Sequence, residues 1–382
     1  MKFGKKNEIQ INPLKYNFAL IGESGIGKTT VIKEYCEKLA GEDGYIFLEV
    51  GKEDGASAIS GINYITCPEW DADYDEDTNT MGFNTFIEDV VENKATDWKD
   101  LKVVVLDTYD EIFSIGEQEV IRMHNKENPQ KRAKSINGCF GGYGAGLEKT
   151  IEIVLNALWS LKTVGVSFIV IGHTKSKNII DPVTGEEYVQ LTSNMTQKYF
   201  NAIKTKVHFL GVAAIDREIT RKSTGKKDNK GNDIKKGVVQ GESRWITFRD
   251  DSYTIDSKSR FADIVDRIPL NADELIKALT DAIKAEASKS GTDIKTLEKE
   301  QAKADQAKAK QVAEAEKAHK SQKELDITIR EIVDFFTNNK TNKTNLEIIK
   351  PILSKCKEMG YSNPKEISDL DDAKTILAMT LK

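Results

Sequence analysis

The sequence is poor in cysteine, proline and histidine, and it has no long hydrophobic run. Its 382 residues include four cysteines, seven prolines and four histidines. The cysteines lie far apart without a Cys-x-x-Cys pair, which argues against a disulfide framework or a zinc ribbon. No stretch approaches 18 consecutive apolar residues, and the polar N-terminus has no apolar run behind it. We therefore expect neither a transmembrane helix nor a secretory signal, and a cytoplasmic location.

Charge is abundant but nearly balanced. Charged residues make up 31% of the chain and hydrophobic residues 39%, a mixture that excludes disorder over the whole length. The net charge of −5 argues against a bulk polyanion binder, so any contact with nucleic acid must come from local basic segments. The length suggests two or three domains.

Residues 16 to about 270 alternate short apolar runs with longer helical stretches. A strand that is apolar on both faces is typical of a parallel sheet covered by helices, so this region predicts a doubly wound α/β domain with a mostly parallel sheet. The predicted strands are Tyr16–Ile21, Tyr45–Val50, Val103–Asp107, Phe168–Ile171 and Val207–Ile215.

The last third of the chain changes character twice. Residues 262–288 predict a closing helix in which Asn271 is the candidate N-cap. Residues 290 to about 324 are rich in Ala, Lys, Glu and Gln without an apolar stripe, which favours a solvated helical spacer over a coiled coil. Apolar periodicity returns at 325–382, punctuated by Pro351 and Pro364, and predicts a small three-helix module.

These patterns predict three parts. They are an α/β domain at 1–288, a charged helical linker at 289–324 and a small all-α C-terminal domain at 325–382.

A complete phosphate-loop motif follows the first predicted strand. The residues of this candidate ATP site are Gly22, Glu23, Ser24, Gly25, Ile26, Gly27, Lys28, Thr29 and Thr30, of which the first eight fit G-x-x-x-x-G-K-[ST]. Glycines allow backbone amides to surround phosphates, and the helix that follows adds a positive dipole end. Lys28 is expected at the β- and γ-phosphates and the Thr29 hydroxyl at Mg²⁺. The alternative is a chance glycine-rich turn.

Two later strands end in polar residues that suit the same chemistry. The apolar strand Val103–Asp107 ends in a carboxylate, as a Walker B strand does, and Asp107 is the second candidate Mg²⁺ ligand. His173 follows the strand Phe168–Ile171 and is the candidate sensor of the γ-phosphate. A loop-start aspartate and a histidine bonded to neighbouring backbone are the alternatives.

A Lys-x-Arg pair lies near the end of the α/β domain. Cations placed so can complete a neighbouring subunit's site by neutralising charge on the γ-phosphate. Lys258 and Arg260 are therefore candidate catalytic residues acting in trans, which implies a homo-oligomer. The alternative is a solvated basic turn.

These motifs together resemble a family. Gly22–Thr29, Val103–Asp107, Ile171–Lys175 and Lys258–Phe261 are similar to motifs of RecA-like AAA ATPases encoded by bacteriophages, and among those to phage single-strand annealing and recombination ATPases. Lys258–Phe261 also resembles the Lys-Asn-Arg-Phe-Gly motif of the bacterial RadA branch-migration ATPase, with Ala262 in place of its glycine. The resemblance covers residues 10–285. It implies an ATPase acting on single-stranded DNA in the cytoplasm of a phage host.

The carboxylate that activates water is left open among four candidates. In RecA-like sites it follows the second strand, and in AAA-type sites it follows the Walker B aspartate. Here Glu49 and Glu53 occupy the first region, Asp110 and Glu111 the second. We favour Glu49 or Glu53, although the usual Asp-x-Glu is replaced by Glu49-Val50-Gly51.

Three basic segments are candidates for single-stranded DNA binding, since cations hold phosphates and aromatic rings stack on bases. They are residues 126–144, residues 175–178 and residues 221–236, the last a predicted hairpin with seven cations against two acids. Solvated surface loops are the alternative. His124, His208 and His319 show no metal spacing, and we expect them to be structural or exposed.

Three functional hypotheses remain open. The first is an Mg²⁺-dependent ATPase coupled to single-stranded DNA. The second is a nucleotide-gated oligomeric switch with little turnover, which recruits a single-strand binding protein or another replication protein through its C-terminal module. The third is a helicase loader or packaging motor.

Overall fold

The computed structural model describes residues 9–227, 233–250, 254–289, 294–339 and 346–380. The described strands are β1 (Phe18–Gly22), β2 (Tyr45–Val50), β3 (Tyr64–Cys67), β4 (Val103–Asp107), β5 (Ser167–Ile180), β6 (Glu187–Ser193), β7 (Phe209–Lys227), β8 (Asp233–Thr247), β9 (Lys258–Ser259) and β10 (Arg267–Pro269). The described α-helices are α1 (Lys28–Ala40), α2 (Phe83–Glu92), α3 (Tyr109–Glu127), α4 (Ala145–Thr163), α5 (Gln197–Lys204), α6 (Ala272–Lys289), α7 (Ile294–Asn339), α8 (Leu346–Glu358) and α9 (Leu370–Thr380).

One sheet organises the α/β region. Its order is β10-β8-β7-β1-β5-β4-β2-β3, and the run from β7 to β3 is parallel throughout. Strand β5 lies between the phosphate-loop strand β1 and β4, so the Asp107 strand is separated from β1 by one strand. The central strands β1, β2 and β4 are buried along their whole length, as their uninterrupted apolar runs predict.

Helices cover both faces of this sheet. On one face the Phe18 ring lies 6.2 Å from the ring of Tyr35 in α1. On the other face the Phe168 ring lies 5.5 Å from that of Trp159 in α4. Because neighbouring residues of a strand point to opposite faces, this arrangement buries every side chain of the central strands. The predicted α/β class with a mostly parallel sheet is confirmed.

Several predicted boundaries were wrong. The prediction missed β3 and α2 altogether. Strands β5 and β7 continue far beyond Ile171 and Ile215, because their second halves leave the buried sheet and form antiparallel hairpins with β6 and β8. The closing helix begins at Ala272, since Arg267–Pro269 forms strand β10. Asn271 caps it as predicted, its side-chain oxygen accepting from the backbone N–H of Asp273 and Glu274.

The chain divides into two compact units. The first comprises Met1–Lys94 with Asp100–Gln301, and the second Ala95–Lys99 with Ala302–Lys382. The second unit has its own apolar cluster, to which α7, α8 and α9 contribute Ile332, Ile352 and Ile376. Pro351 does not punctuate the module as predicted, because it lies inside α8. The predicted boundary at residues 324 and 325 falls within α7.

The cysteines and the helices were also compared with the expectations from the sequence. All four cysteines are free and buried. Among the described residues, no helix combines the length and the apolar character needed to cross a membrane.

Candidate active site

The phosphate loop connects β1 to α1, as the motif predicts. Gly25 and Gly27 both adopt positive φ angles, of 72° and 109°, which an L side chain rarely adopts. Gly27 is the N-cap of α1, so the loop leads directly into the helix N-terminus. Ile26 is 1% exposed and anchors the loop in the core between the two glycines. The loop therefore turns at its two glycines and is tied to the core by Ile26.

The Lys28 side chain folds back onto the start of this loop. The Lys28 Nζ donates to the carbonyl oxygens of Gly22 at 3.2 Å and Glu23 at 2.9 Å. Burial lowers the pKa of Lys28, while the charges of Asp107, Asp110 and Glu53 oppose that shift. All three carboxylates, which the sequence analysis proposed as site residues, therefore interact electrostatically with Lys28.

Thr29 and Asp107 meet as the two motifs predict. The Thr29 hydroxyl donates to the Asp107 carboxylate over 2.7 Å, although 78 residues separate them. Burial raises the pKa of Asp107 to about 6, against the lowering effect of the Thr29 hydrogen bond. A hydroxyl and a carboxylate oxygen at one point are the hard ligands that Mg²⁺ prefers, so the pair fits the ion.

Glu49 and Glu53 have different environments. Glu49 is buried opposite Asp107 in the β2–β4 register, and it accepts from the backbone N–H of Ala56 and from the Thr66 hydroxyl. Burial raises the pKa of Glu49. The charge of Glu53 raises the pKa values of both Asp107 and Lys28. Both acids therefore interact electrostatically with the site, and Glu49 also closes the turn that carries Glu53 through its hydrogen bond with Ala56.

Asp110 is engaged by His173. The His173 Nδ1 lies 2.7 Å from the Asp110 Oδ2, which also accepts from the His173 backbone N–H at 3.1 Å. His173 is paired with Gly22 in the β1–β5 register, so the pair borders the phosphate loop. Its partner is a carboxylate rather than the neighbouring backbone. Glu111 instead packs against Gly51, where an added Cβ would lie 2.8 Å from its own.

Lys258 and Arg260 lie far from their own chain's phosphate loop. Ser259, between them, is in register with Phe209 of β7, which is in register with Phe18 of β1. Phe18 lies four residues before Gly22, so this level of the sheet is about 13 Å along the strand from the loop. The Lys258 Nζ donates to the Lys204 carbonyl at 2.6 Å and the Arg260 guanidinium to the Thr205 carbonyl at 2.7 Å. Both cations thus cap the C-terminus of α5 at the amino edge of the sheet.

The segment 126–144 is organised by two residues of α3. The His124 ring accepts from the Phe140 backbone N–H at 3.1 Å, and Asn125 exchanges hydrogen bonds with the backbone of Ala133. Tyr143 is fully exposed. His124 is structural, as expected, and no group of three or more His, Cys, Asp or Glu side chains in the described part of the chain is placed to hold a metal.

The other two basic segments belong to hairpins. Lys175 and Lys177 lie on β5, opposite Thr192 and Gln190 of β6. The arms of the predicted hairpin 221–236 are β7 and β8, and its tip at 228–232 lies outside the described residues.

Sequence reasoning missed three contacts at this site. They are the Asp110–His173 pair and two arginines, Arg217 and Arg244, that reach the phosphate loop from β7 and β8. The positions of Asp110 and His173 just past two neighbouring parallel strands were a signal for the first. No local signal marks the arginines.

Comparisons with known proteins gave a structural similarity and a family match. No curated protein matches the sequence. The KaiC-like protein of the archaeon Pyrococcus horikoshii OT3 is similar in structure at 12% sequence identity, over 69% of this chain and 94% of that one, with a TM-score of 0.35. A family model described as an AAA domain, AAA_24, matches residues 14–261, which is more than half of the chain. The match spans the phosphate loop, Asp107, His173 and the Lys-x-Arg pair, and the chain belongs to the AAA_24 family of P-loop ATPase domains.

Proposed function

We propose that this protein binds ATP with Mg²⁺, hydrolyses it and couples hydrolysis to single-stranded DNA in recombination or replication. The observation that carries the ATPase part is the 2.7 Å contact between Thr29 and Asp107 beside Lys28. Two residues far apart in sequence thereby present oxygen ligands for the ion, next to a lysine suited to the phosphates.

Each group at the loop has a separate task in this proposal. The loop amides and the N-terminus of α1 receive the phosphates. Lys28 exchanges its two carbonyl acceptors for phosphate oxygens, and Thr29 and Asp107 hold Mg²⁺. The ion, when bound, neutralises charge on the β- and γ-phosphates. Most of the catalysis then comes from positioning and charge neutralisation.

Glu53 is the group that we assign to the attacking water. It is half-buried, and its charge acts on both Lys28 and Asp107. Glu49 is a positioning residue, because its carboxylate binds the Ala56 backbone N–H and so closes the turn between them. His173, oriented by Asp110, is the proposed sensor, since β5 continues from it directly into the β5–β6 hairpin.

Three features support contact with single-stranded DNA. The β5–β6 hairpin carries Lys175 and Lys177, the β7–β8 hairpin carries exposed Arg221 and Lys222, and the loop before α4 carries the exposed ring of Tyr143. Cations and an exposed aromatic ring suit sequence-neutral binding of phosphates and bases. All three elements follow strands of the ATPase sheet.

The first experiment is ATP hydrolysis by the purified full chain with and without single-stranded DNA, compared with Lys28→Ala. We expect Lys28-dependent hydrolysis that single strands stimulate. Unchanged binding and hydrolysis in Lys28→Ala would overturn the proposal. Stimulation by duplex DNA or by a helicase alone would favour a loader or a motor instead.

A nucleotide-gated switch is the second candidate, and the engagement of Glu49 favours it. With that carboxylate bound to Ala56 and Thr66, Glu53 is left of the two favoured candidates to orient water. Tight ATP binding with turnover below about 10⁻³ s⁻¹, comparable to an unassisted GTPase, would support the switch. The C-terminal unit would then be the place where a replication protein is recruited.

The position of Lys258 and Arg260 supports a proposed homo-oligomer. They lie at the opposite edge of the sheet from their own loop, so any site that they complete would belong to a neighbouring subunit. A head-to-tail contact that places the amino edge of one subunit on the loop of the next would build a ring or a filament.

A further inference from the structure

Two arginines of the β7–β8 hairpin hold the phosphate loop from the side. The Arg217 guanidinium lies 3.2 Å from the Glu23 carboxylate, and the Arg244 guanidinium donates to the Ile26 carbonyl over 3.1 Å. Glu23 and Ile26 are both inside the loop motif. The hairpin that carries the arginines is therefore in direct contact with the loop at two points.

The register of the hairpin places these contacts in one row. Arg217 is opposite Glu242, and Ile215 is opposite Arg244, so the three charged residues share a face. The Glu242 carboxylate lies 3.4 Å from the Arg244 guanidinium. Glu23, Arg217, Glu242 and Arg244 thus alternate in charge from the loop into the hairpin.

The base of the hairpin cannot move away from the loop without cost. Gly22 is in register with Ala213 of β7, and a Cβ on Gly22 would lie 2.8 Å from the Ala213 Cβ. This close packing fixes the distance between the loop and the strand that carries Arg217. The arginine is four residues beyond Ala213, at the point where β7 leaves the sheet.

Glu23 is an electrostatic liability for a loop that receives phosphates. Its carboxylate lies within about one Debye length, 8–10 Å, of any triphosphate seated on the loop, so its charge repels the ligand. Arg217 neutralises that charge. Arg244 holds the Ile26 carbonyl oxygen, which is a second negative dipole end, toward the hairpin.

We infer that Arg217 and Arg244 are positioning residues that couple the β7–β8 hairpin to the affinity of the phosphate loop for nucleotide. This inference rests on the proposed nucleotide binding. A ligand that displaces the hairpin arms changes the affinity for ATP, and by reciprocity ATP changes the affinity for that ligand by the same factor.

The test measures the dissociation constant of a fluorescent ATP analogue with Mg²⁺ on the full chain. Arg217→Ala is expected to weaken binding by about three- to tenfold, because it exposes the Glu23 charge. Glu23→Gln should bind more tightly than the unchanged protein, because it removes the repelling charge and leaves Arg217 unpaired beside the loop. The double variant should return to within about twofold, since the liability and its neutralising partner are both gone.

The matched control is Arg267→Ala. Arg267 pairs with Asp216, on the other face of the same strand, and its side chain is as exposed as that of Arg217. We expect less than about a twofold change. Raising the salt concentration should shrink the effect of Arg217→Ala, which a packing role would not do.

The outcomes separate this inference from the proposed function. If the unchanged protein and Lys28→Ala both fail to bind the analogue, the proposed function fails. If binding depends on Lys28 but Arg217→Ala matches Arg267→Ala, or Glu23→Gln does not rescue it, the coupling inference is wrong. Should Arg217→Ala fail to fold, two other variants decide the inference. Near-unchanged affinity of Arg217→Lys, which keeps the charge, together with tighter binding by Glu23→Gln supports it. Unchanged or weaker binding by Glu23→Gln overturns it.

Discussion

The two edges of the parallel sheet differ in the ionisable groups that burial affects: carboxylates together with Lys28 at the carboxyl edge, and cations at the amino edge. At the carboxyl edge, burial raises the pKa values of Asp107 and Glu49. At the amino edge, burial lowers the pKa values of His208, Lys162 and Lys258. The physical cause is the same, because a low-dielectric environment penalises whichever charged form is present.

The comparison indicates which charge would suit a ligand at each edge. Carboxylates that are held above their ordinary pKa are relieved by a cation, and Thr29 and Asp107 provide the oxygen pair for one. Cations held below their ordinary pKa are relieved by an anion. The cations Lys258 and Arg260 at the amino edge would complement nucleotide phosphates bound to the loop of a neighbouring subunit, which is the contact that we propose in trans.

The largest effect should come from removing the carboxylate at the carboxyl edge. Asp107→Asn removes the charge of one of the two oxygen ligands proposed for Mg²⁺. A bound metal ion contributes several kcal/mol to transition-state stabilisation, so we expect the rate of hydrolysis to fall about 1,000-fold. Steady-state hydrolysis at saturating ATP measures it. Asp43→Asn, an exposed acid before β2, is the control and should retain full activity. A loss of hydrolysis below about tenfold would show that Asp107 is not a ligand of the catalytic Mg²⁺.

The next effect concerns the aromatic anchor of the amino edge. Phe261 is 5% exposed, and its ring stacks on that of Phe209 with centroids 4.8 Å apart. Phe261→Ala should lower the free energy of unfolding by about 3–5 kcal/mol, measured by urea denaturation. Exposed Arg260→Ala should cost less than about 1 kcal/mol. Equal losses would mean that Phe261 does not anchor the Lys-x-Arg segment.

A complementation experiment tests the action in trans. The double variant Lys258→Ala, Arg260→Ala should lose about 100-fold in hydrolysis while remaining folded, as cations at the γ-phosphate are worth at least this much. The variant Lys28→Ala keeps Lys258 and Arg260 but has a defective phosphate loop. Mixing the two variants should recover part of the activity, because one subunit completes the other's site. No recovery at high protein concentration would contradict the trans proposal.

The smallest effect is a pH dependence at the amino edge. Burial, together with Arg260, lowers the pKa of His208 to about 4, whereas a histidine in the unfolded chain titrates near 6.5. Between these pH values the unfolded chain binds a proton that the folded chain does not. The free energy of unfolding should therefore fall by about 2 kcal/mol as the pH falls from 7 to 4.

His208→Asn isolates this contribution. The His208 Nδ1 accepts from the Asn17 backbone N–H, and an asparagine side-chain oxygen offers an acceptor without an ionisable ring. Urea denaturation at several pH values should give a shallower acid slope for the variant. Identical slopes would show that His208 is not the titrating group.

The sequence predicted most of the carboxyl edge because its residues lie in local motifs. The phosphate loop, the strand ending in Asp107 and the strand before His173 each occupy a continuous stretch with a buried apolar run beside it. The outer halves of β5 and β7 were not predictable in this way. They leave the sheet as exposed hairpins, where burial no longer imposes an apolar pattern.

Contacts between residues far apart in sequence were also not predicted. Glu23 and Arg217 are 194 residues apart and Asp110 and His173 are 63 apart, and neither distance is encoded in local spacing. The prediction that Pro351 interrupts a helix was wrong for a different reason. The helix α8 continues through it because Ile352 and Cys356 are buried in the cluster of the second unit, and this packing outweighs the lost backbone hydrogen bond.

The four buried cysteines make the protein convenient for site-specific labelling. Burial raises the pKa values of Cys36 and Cys67, so these thiols are almost entirely protonated near neutral pH and react slowly with maleimides. A single cysteine introduced at an exposed position can then be modified in an otherwise native chain. Tyr143→Cys, at a fully exposed site, would carry a fluorophore that responds when an oligonucleotide approaches that loop.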